Sequence, residues 1–185
     1  TFSVFQQDVQ VEPESEGGLS AEWLSAGWPQ VTVLHVPPNL TISINWLFPP
    51  SRNPFAILIN ATQEKPYGTG YTLQAGEQLI LPLTGLQYAE NFYWVNKERF
   101  MIIKQYEPEV VNSATYQDNQ KAFNLLQEAR QALRDREYSR AESLAYEAWR
   151  LSRGVYDFLR TNIEDAASVV PFIAAFFIPF VFLAE

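Results

Sequence analysis

Residues 136–149 read REYSRAESLAYEAW, and this stretch predicts a turn followed by the start of a helix. Ser139 precedes Glu142 by three residues, which is the capping-box pattern of a helix N-terminus. Beyond it, small and apolar residues recur at spacings of 4-3-4-3-4, the period of one helix face. These residues are Ala141, Ala145, Ala148, Ser152, Val155 and Leu159. The pattern predicts a helix over about 139–160 whose small side chains let a partner helix approach closely.

The segment before this turn predicts the partner helix. From Tyr116 to Leu159 there is no proline and a single glycine. Leu126, Ala129 and Leu133 share one helical face, and Thr115 or Asp118 is a candidate N-cap. We therefore expect a helix over about 117–136. The two helices predict an antiparallel hairpin, which forms a domain over residues 111–160.

This hairpin is similar to a single tetratricopeptide unit. Tyr138, Ala141, Ala145 and Ala148 fall at the matching offsets, but Arg153 stands where the closing proline is expected. The sequence contains no second copy of the pattern, and a solenoid needs about three repeats. The sequence therefore favours an ordinary helical hairpin over a peptide-binding repeat.

Residues 1–110 predict a β-rich head. Short runs of aromatic and β-branched residues are separated by glycine and proline turns at the spacing of a sandwich or barrel. In the run from Thr41 to Trp46, Ile42 and Ile44 alternate with polar residues and are expected to point inward. We expect an antiparallel β-sandwich, immunoglobulin-like or jelly-roll-like. The candidate strands are Phe2–Val11, Ala21–Ser25, Gln30–Val36, Leu40–Phe48, Phe55–Asn60, Tyr71–Leu73, Gln78–Leu83, Asn91–Asn96 and Phe100–Gln105.

The end of the sequence is an uncharged run, AASVVPFIAAFFIPFVFLA, over residues 166–184. As a helix it would be roughly 28 Å long, close to the hydrocarbon thickness of a bilayer. Glu164 and Asp165 would mark its watery edge. We therefore predict a C-terminal hydrophobic helix over residues 161–185 that spans a membrane or is buried in an assembly. The predicted fold class is thus α+β: a β-sandwich, a helical hairpin and this terminal helix.

Composition excludes several classes of function. The formal net charge of −8 argues against binding to nucleic acid, which requires a basic surface. The absence of cysteine excludes disulfides, thiolate metal sites and cysteine nucleophiles.

Few residues are candidates for a site. His35 is the only histidine, and it lacks the partners of a triad or a metal centre. Glu12, Glu14 and Glu16 could bind calcium, but their spacing fits a solvated acidic turn better. The sequence therefore predicts no catalytic, metal-binding or cofactor-binding residue and no cofactor. Two N-glycosylation sequons begin at Asn39 and Asn60, which makes these residues candidates for modification in an exported protein.

The last third of the chain also resembles a known group of proteins. The REYSRAESLAYEAW hairpin, then the stretch 163–166, then the terminal FIPFVFLAE, resemble the membrane-proximal region of archaeal surface proteins, some of them FtsX-like and permease-type. The resemblance implies an exported head and a membrane anchor, and it implies no enzymatic residues. The basic flank that normally follows the apolar segment in that group is absent here.

These observations lead to a non-enzymatic interpretation of function. We expect a membrane-anchored extracytoplasmic module at the cell membrane, with a structural or partner-binding role in a larger membrane or surface assembly. Its expected partners are the lipid bilayer and other protein subunits of that assembly. The alternative is a filament or coat subunit whose apolar tail is buried in neighbouring subunits. A surface-glycan hydrolase is a third reading, and it would need paired carboxylates across a cleft.

Overall fold

A computed structural model describes residues 8–13, 20–24, 31–47 and 54–183, with side chains at 35–45 and 54–163. Strands occupy the N-terminal part of the chain and helices the remainder. The strands are β1 (Asp8–Pro13), β2 (Ser20–Leu24), β3 (Val31–His35), β4 (Thr41–Leu47), β5 (Pro54–Leu58) and β6 (Tyr71–Thr72). The helices are α1 (Thr84–Tyr106), a short 3-10 helix (Pro108–Asn112), α2 (Ala114–Arg134) and α3 (Tyr138–Leu183).

The strands form two antiparallel groups. In the larger sheet β4 lies between β1 and β5, and the short β6 also pairs with β4. Ile44 is opposite Val11 on one side and Leu58 on the other. The β2 and β3 strands pair only with each other among the described residues.

The helices form an up-down-up bundle. Arg130 binds Glu90 and the Tyr116 ring packs on Phe100, so α2 runs antiparallel to α1. After the turn at residues 135–137, Lys121 of α2 pairs with Glu147 of α3, so α3 is antiparallel to α2. The first helix and the third are therefore parallel.

The main core lies between the three helices and β5. Ile57, Phe92 and Leu126 are buried there together with Trp149. The Trp149 indole N–H donates to the Phe55 carbonyl oxygen at 2.9 Å, and its ring lies 4.6 Å from the Phe55 ring. This contact fixes α3 to the sheet.

The predicted β-sandwich is wrong. Helix α1 occupies the segment that was predicted to contain the strands Asn91–Asn96 and Phe100–Gln105, and the described part of Gln78–Leu83 forms no strand. In the structure, the buried residues of this segment recur with the period of a helix. Phe92, Asn96 and Phe100 follow each other at intervals of four residues, and all three are buried. Packing of this helical face against its neighbours outweighs the strand propensity of its aromatic and β-branched residues.

The prediction of a separate terminal membrane helix is also wrong. Helix α3 is one continuous element of 46 residues, so the described part of the apolar run is its last part, and among the described residues no independent element follows the hairpin. A search of the described part of the chain finds no helix that is both long and apolar enough to span a bilayer. The predicted membrane and transmembrane character is therefore not supported.

Candidate functional site

A groove opens between the first turns of α2 and the middle of α3. This open cavity has a volume of about 340 Å³. Its lining combines an apolar floor with polar and charged rims. The lining residues are Thr115, Asp118, Arg150, Leu151, Gly154, Val155 and Phe158. We call this cavity the Gly154 groove.

The α2 wall of the groove is positioned by a helix cap. The Ser113 hydroxyl accepts a hydrogen bond from the Tyr116 backbone N–H at 3.2 Å and donates one to the Val110 carbonyl oxygen at 2.6 Å. The cap satisfies one of the free N–H groups of the first turn, so the helix begins at Ala114. Thr115 and Asp118, three residues apart, then lie on one face and form the rim.

The α3 wall is an exposed stripe centred on a glycine. Arg150, Gly154 and Phe158 follow each other at intervals of four residues, and Tyr146 continues the stripe. Apart from its chain neighbours and the adjacent backbone of its own helix, a Cβ atom built on Gly154 would meet no atom of the described residues within 4 Å. Glycine in a helix interior is about 1 kcal/mol less favourable than alanine. The intramolecular packing therefore gives no reason for a glycine here.

The rims carry opposite charges. Among the described residues, neither Asp118 nor Arg150 takes part in an ion pair. The neighbouring pair Lys121–Glu147 joins the same two helices at 3.5 Å. Phe158 is 52 % exposed beside the charges. The groove thus presents an anion, a cation and an apolar ring to solvent.

A second polar cluster, formed by Arg99, Arg153 and Asp157, stabilises the fold. The guanidinium of Arg99 stacks on the Tyr156 ring at 4.4 Å, and that of Arg153 lies 5.1 Å from the Phe55 ring. Arg153 also approaches Asp157, with 3.8 Å between Nε and Oδ2. Burial raises the pKa of Asp157, and the nearby Arg153 and Arg160 oppose that rise. These contacts join α1, α3 and β5.

The loop after β5 is held by one buried side chain. Asn91 Oδ1 accepts hydrogen bonds from the backbone N–H groups of Ile59 and Ala61 at 3.0 and 2.9 Å. Its Nδ2 donates to the Gln87 carbonyl oxygen at 2.7 Å. At Gly68, a Cβ atom would lie 1.9 Å from the Ile59 carbonyl oxygen, so only glycine fits this close approach.

The predicted modification candidates lie on exposed turns away from the groove. Asn39 and Asn60 have positive φ values of 63° and 55°. Asparagine tolerates this left-handed backbone better than most residues, which gives a structural reason for its presence. The Asn60 amide also donates to Thr69 Oγ1 at 3.0 Å. Glycosylation at either residue stays a prediction.

The other residues considered from sequence do not come together into a site. His35 is exposed at the end of β3, and Glu12 lies in β1 opposite Ser43. Glu14 and Glu16 lie outside the described residues. Within the ranges that the structure describes, no group of three or more His, Asp or Glu side chains could hold a metal ion.

Sequence reasoning missed the groove. The available signal was Gly154, the one glycine of an otherwise helix-favouring segment, with Phe158 four residues later. The presence of Asp118 and Arg150 in one groove carried no sequence signal, because these residues are 32 positions apart.

No family model, curated protein or solved structure matches the chain. The groove must therefore be interpreted from its own chemistry.

Proposed function

We propose that the protein is a non-enzymatic binding module whose α2–α3 hairpin docks a protein partner in the Gly154 groove. The observation that carries the proposal is Gly154 itself. A glycine there weakens the helix, and its missing side chain opens space that no described part of the chain fills. A partner backbone that packs in that space would explain why a glycine occupies this position.

The other groove residues support the same role. Phe158 exposes half of its ring, and a partly exposed aromatic beside a cavity is typical of an interface anchor. Asp118 and Arg150 provide two charges that a partner of matching pattern would neutralise. One occupant would satisfy all three features.

The partners expected from the sequence are the lipid bilayer and other protein subunits of a larger assembly. The proposed occupant of the groove belongs to the second class. The location of the protein outside the cytoplasm stays a prediction. Mass analysis of peptides containing Asn39 and Asn60, from protein isolated from its natural source, tests that location through the presence of glycans.

The length of α3 favours a second candidate, a filament or coat subunit. At about 1.5 Å per residue the 46 residues of α3 extend roughly 69 Å, about twice the length of α2. Buried residues of α3 run from Ala141 to Leu159 among those whose side chains are described. The remaining helix could pack between neighbouring subunits. Truncation after Ile163 should then abolish large assemblies in sedimentation velocity, whereas a groove-only mechanism predicts unchanged sedimentation behaviour apart from mass.

Photocrosslinking tests the binding role. A photoreactive phenylalanine analogue at Phe158 should give a specific protein adduct in cells that naturally contain the protein. Tyr67 is the matched control, because it is an aromatic residue of similar exposure that does not line the groove. The proposal fails if Phe158 gives no more adduct than Tyr67.

A further inference from the structure

We infer that the occupant of the Gly154 groove is a second copy of this chain, placed by a two-fold axis that passes beside Gly154. The inference rests on the proposed binding role and names its partner. In this arrangement the two α3 helices cross antiparallel, and each copy inserts the same surface into the groove of the other.

Charge complementarity is the main argument. An occupant of matching charge brings a cation to Asp118 and an anion to Arg150. A two-fold axis does this automatically, because a residue contact from the first copy to the second is repeated from the second to the first. Arg150 of each copy meets Asp118 of the other, so two charges that have no ion-pair partner among the described residues are neutralised in each copy.

The residue spacing of α3 agrees with such a crossing. In an antiparallel pair centred on Gly154, a residue four positions before the glycine faces the residue four positions after it. Arg150 of one copy therefore faces Phe158 of the other, which allows a cation–π contact in addition to the ion pair.

Glycine suits the centre of this crossing. Interaxial distances of packed helices depend on the side chains at the contact, and two glycines at the axis allow the shortest approach. The open space around Gly154 is then filled by the equivalent backbone of the second copy.

A charge exchange in the full-length chain tests the inference. Asp118 and Arg150 are both exposed, so Asp118→Arg and Arg150→Asp should leave the fold intact, which circular dichroism and thermal unfolding check. We expect the wild-type chain to be a dimer by sedimentation velocity and native mass spectrometry. Each single variant should dissociate with a dissociation constant raised about tenfold or more, since like charges then face each other twice.

Mixing the two single variants should restore a heterodimer, because both contacts again join opposite charges. The double variant Asp118→Arg/Arg150→Asp should dimerise by itself for the same reason. A wild-type chain that stays monomeric at its highest soluble concentration, a mass other than two copies, or no recovery on mixing would overturn the second-copy inference.

The crosslinking experiment separates this failure from failure of the binding role. An adduct of Phe158 with twice the mass of the chain supports both statements. An adduct with a different protein keeps the binding role and overturns the second copy. Absence of any specific adduct overturns both.

Discussion

At the residue scale, buried asparagines contribute in opposite ways. Asn91 makes three hydrogen bonds, two of them to backbone N–H groups of the loop after β5. Asn119 is fully buried in α2, and neither its Oδ1 nor its Nδ2 has a hydrogen-bond partner among the described residues. Hydrogen-bond satisfaction, more than burial, therefore decides whether each side chain stabilises the fold.

The Asn91→Leu substitution should lower the free energy of unfolding by roughly 2–4 kcal/mol. It removes the acceptor of the Ile59 and Ala61 N–H groups and leaves both donors without a partner. Urea unfolding followed by circular dichroism measures the change. A loss below about 0.5 kcal/mol would show that water replaces the side chain as acceptor.

The Asn119→Leu substitution is the matched control, and it should have the opposite sign. Leucine has the same number of side-chain heavy atoms and the same branching at Cγ, and it removes two buried polar atoms without partners among the described residues, so we expect a gain of about 1 kcal/mol in the free energy of unfolding. The same urea experiment decides the outcome. A loss of stability would mean that a hydrogen-bond partner of Asn119 exists in solution.

The contribution of Asp157 to the free energy of unfolding should fall as the pH rises. Its pKa is raised above 3.8 by burial, so the folded state holds the proton more tightly than the unfolded state. The corresponding stabilisation is present below pH 3.8 and is lost as the pH rises through the raised pKa. The free energy of unfolding of the wild type minus that of Asp157→Asn should therefore decrease between about pH 3 and pH 7. An increase over this range would mean that attraction to Arg153 outweighs burial.

At the element scale, the hairpin was the part of the fold that local patterns indicated most directly. The sequence predicts that one helix ends near residue 136 and the next begins near residue 139, and α2 ends at Arg134 while α3 begins at Tyr138. The predicted caps were wrong in detail: Ser113 caps α2, and α3 begins one residue before Ser139. Several residues of similar capping ability lie close together at both ends, so the sequence alone does not choose among them.

Helix α1 was missed because its buried face is interrupted by polar residues. Asn91 and Asn96 are buried, and each forms a hydrogen bond from its amide, to the Gln87 carbonyl oxygen and to the Ser152 carbonyl oxygen respectively. A search for apolar periodicity counts both positions as breaks. The buried face becomes recognisable only when their hydrogen-bond partners are known.

Helix α3 should become more stable when Gly154 is replaced by alanine. Gly154→Ala should raise the free energy of unfolding of the single chain by about 1 kcal/mol, because alanine favours the helix and its Cβ enters open space. Thermal unfolding at a concentration where the chain is monomeric measures this effect. A decrease in stability would show that the space around Gly154 is closed within the chain itself.

At the scale of the whole molecule, sequence periodicity predicted helices in the second half but not the arrangement that creates the groove. Asp118 and Arg150 reach the same cavity only because α2 and α3 pack antiparallel in a particular register. Such a site depends on tertiary packing, and neither charge stands out in the sequence. The β-sandwich was predicted from strand propensities, which packing against neighbouring elements readily overrides.

If Gly154 keeps a docking groove open, the Gly154→Leu substitution should close it. Leucine should be accommodated in the single chain because a Cβ atom there meets open space, yet its side chain would block an approaching partner. Native mass spectrometry of the full-length variant, with folding checked by circular dichroism, is the decisive measurement. We expect a folded chain that has lost the partner bound by the wild type. A folded Gly154→Leu chain that retains this partner in the same proportion would contradict it.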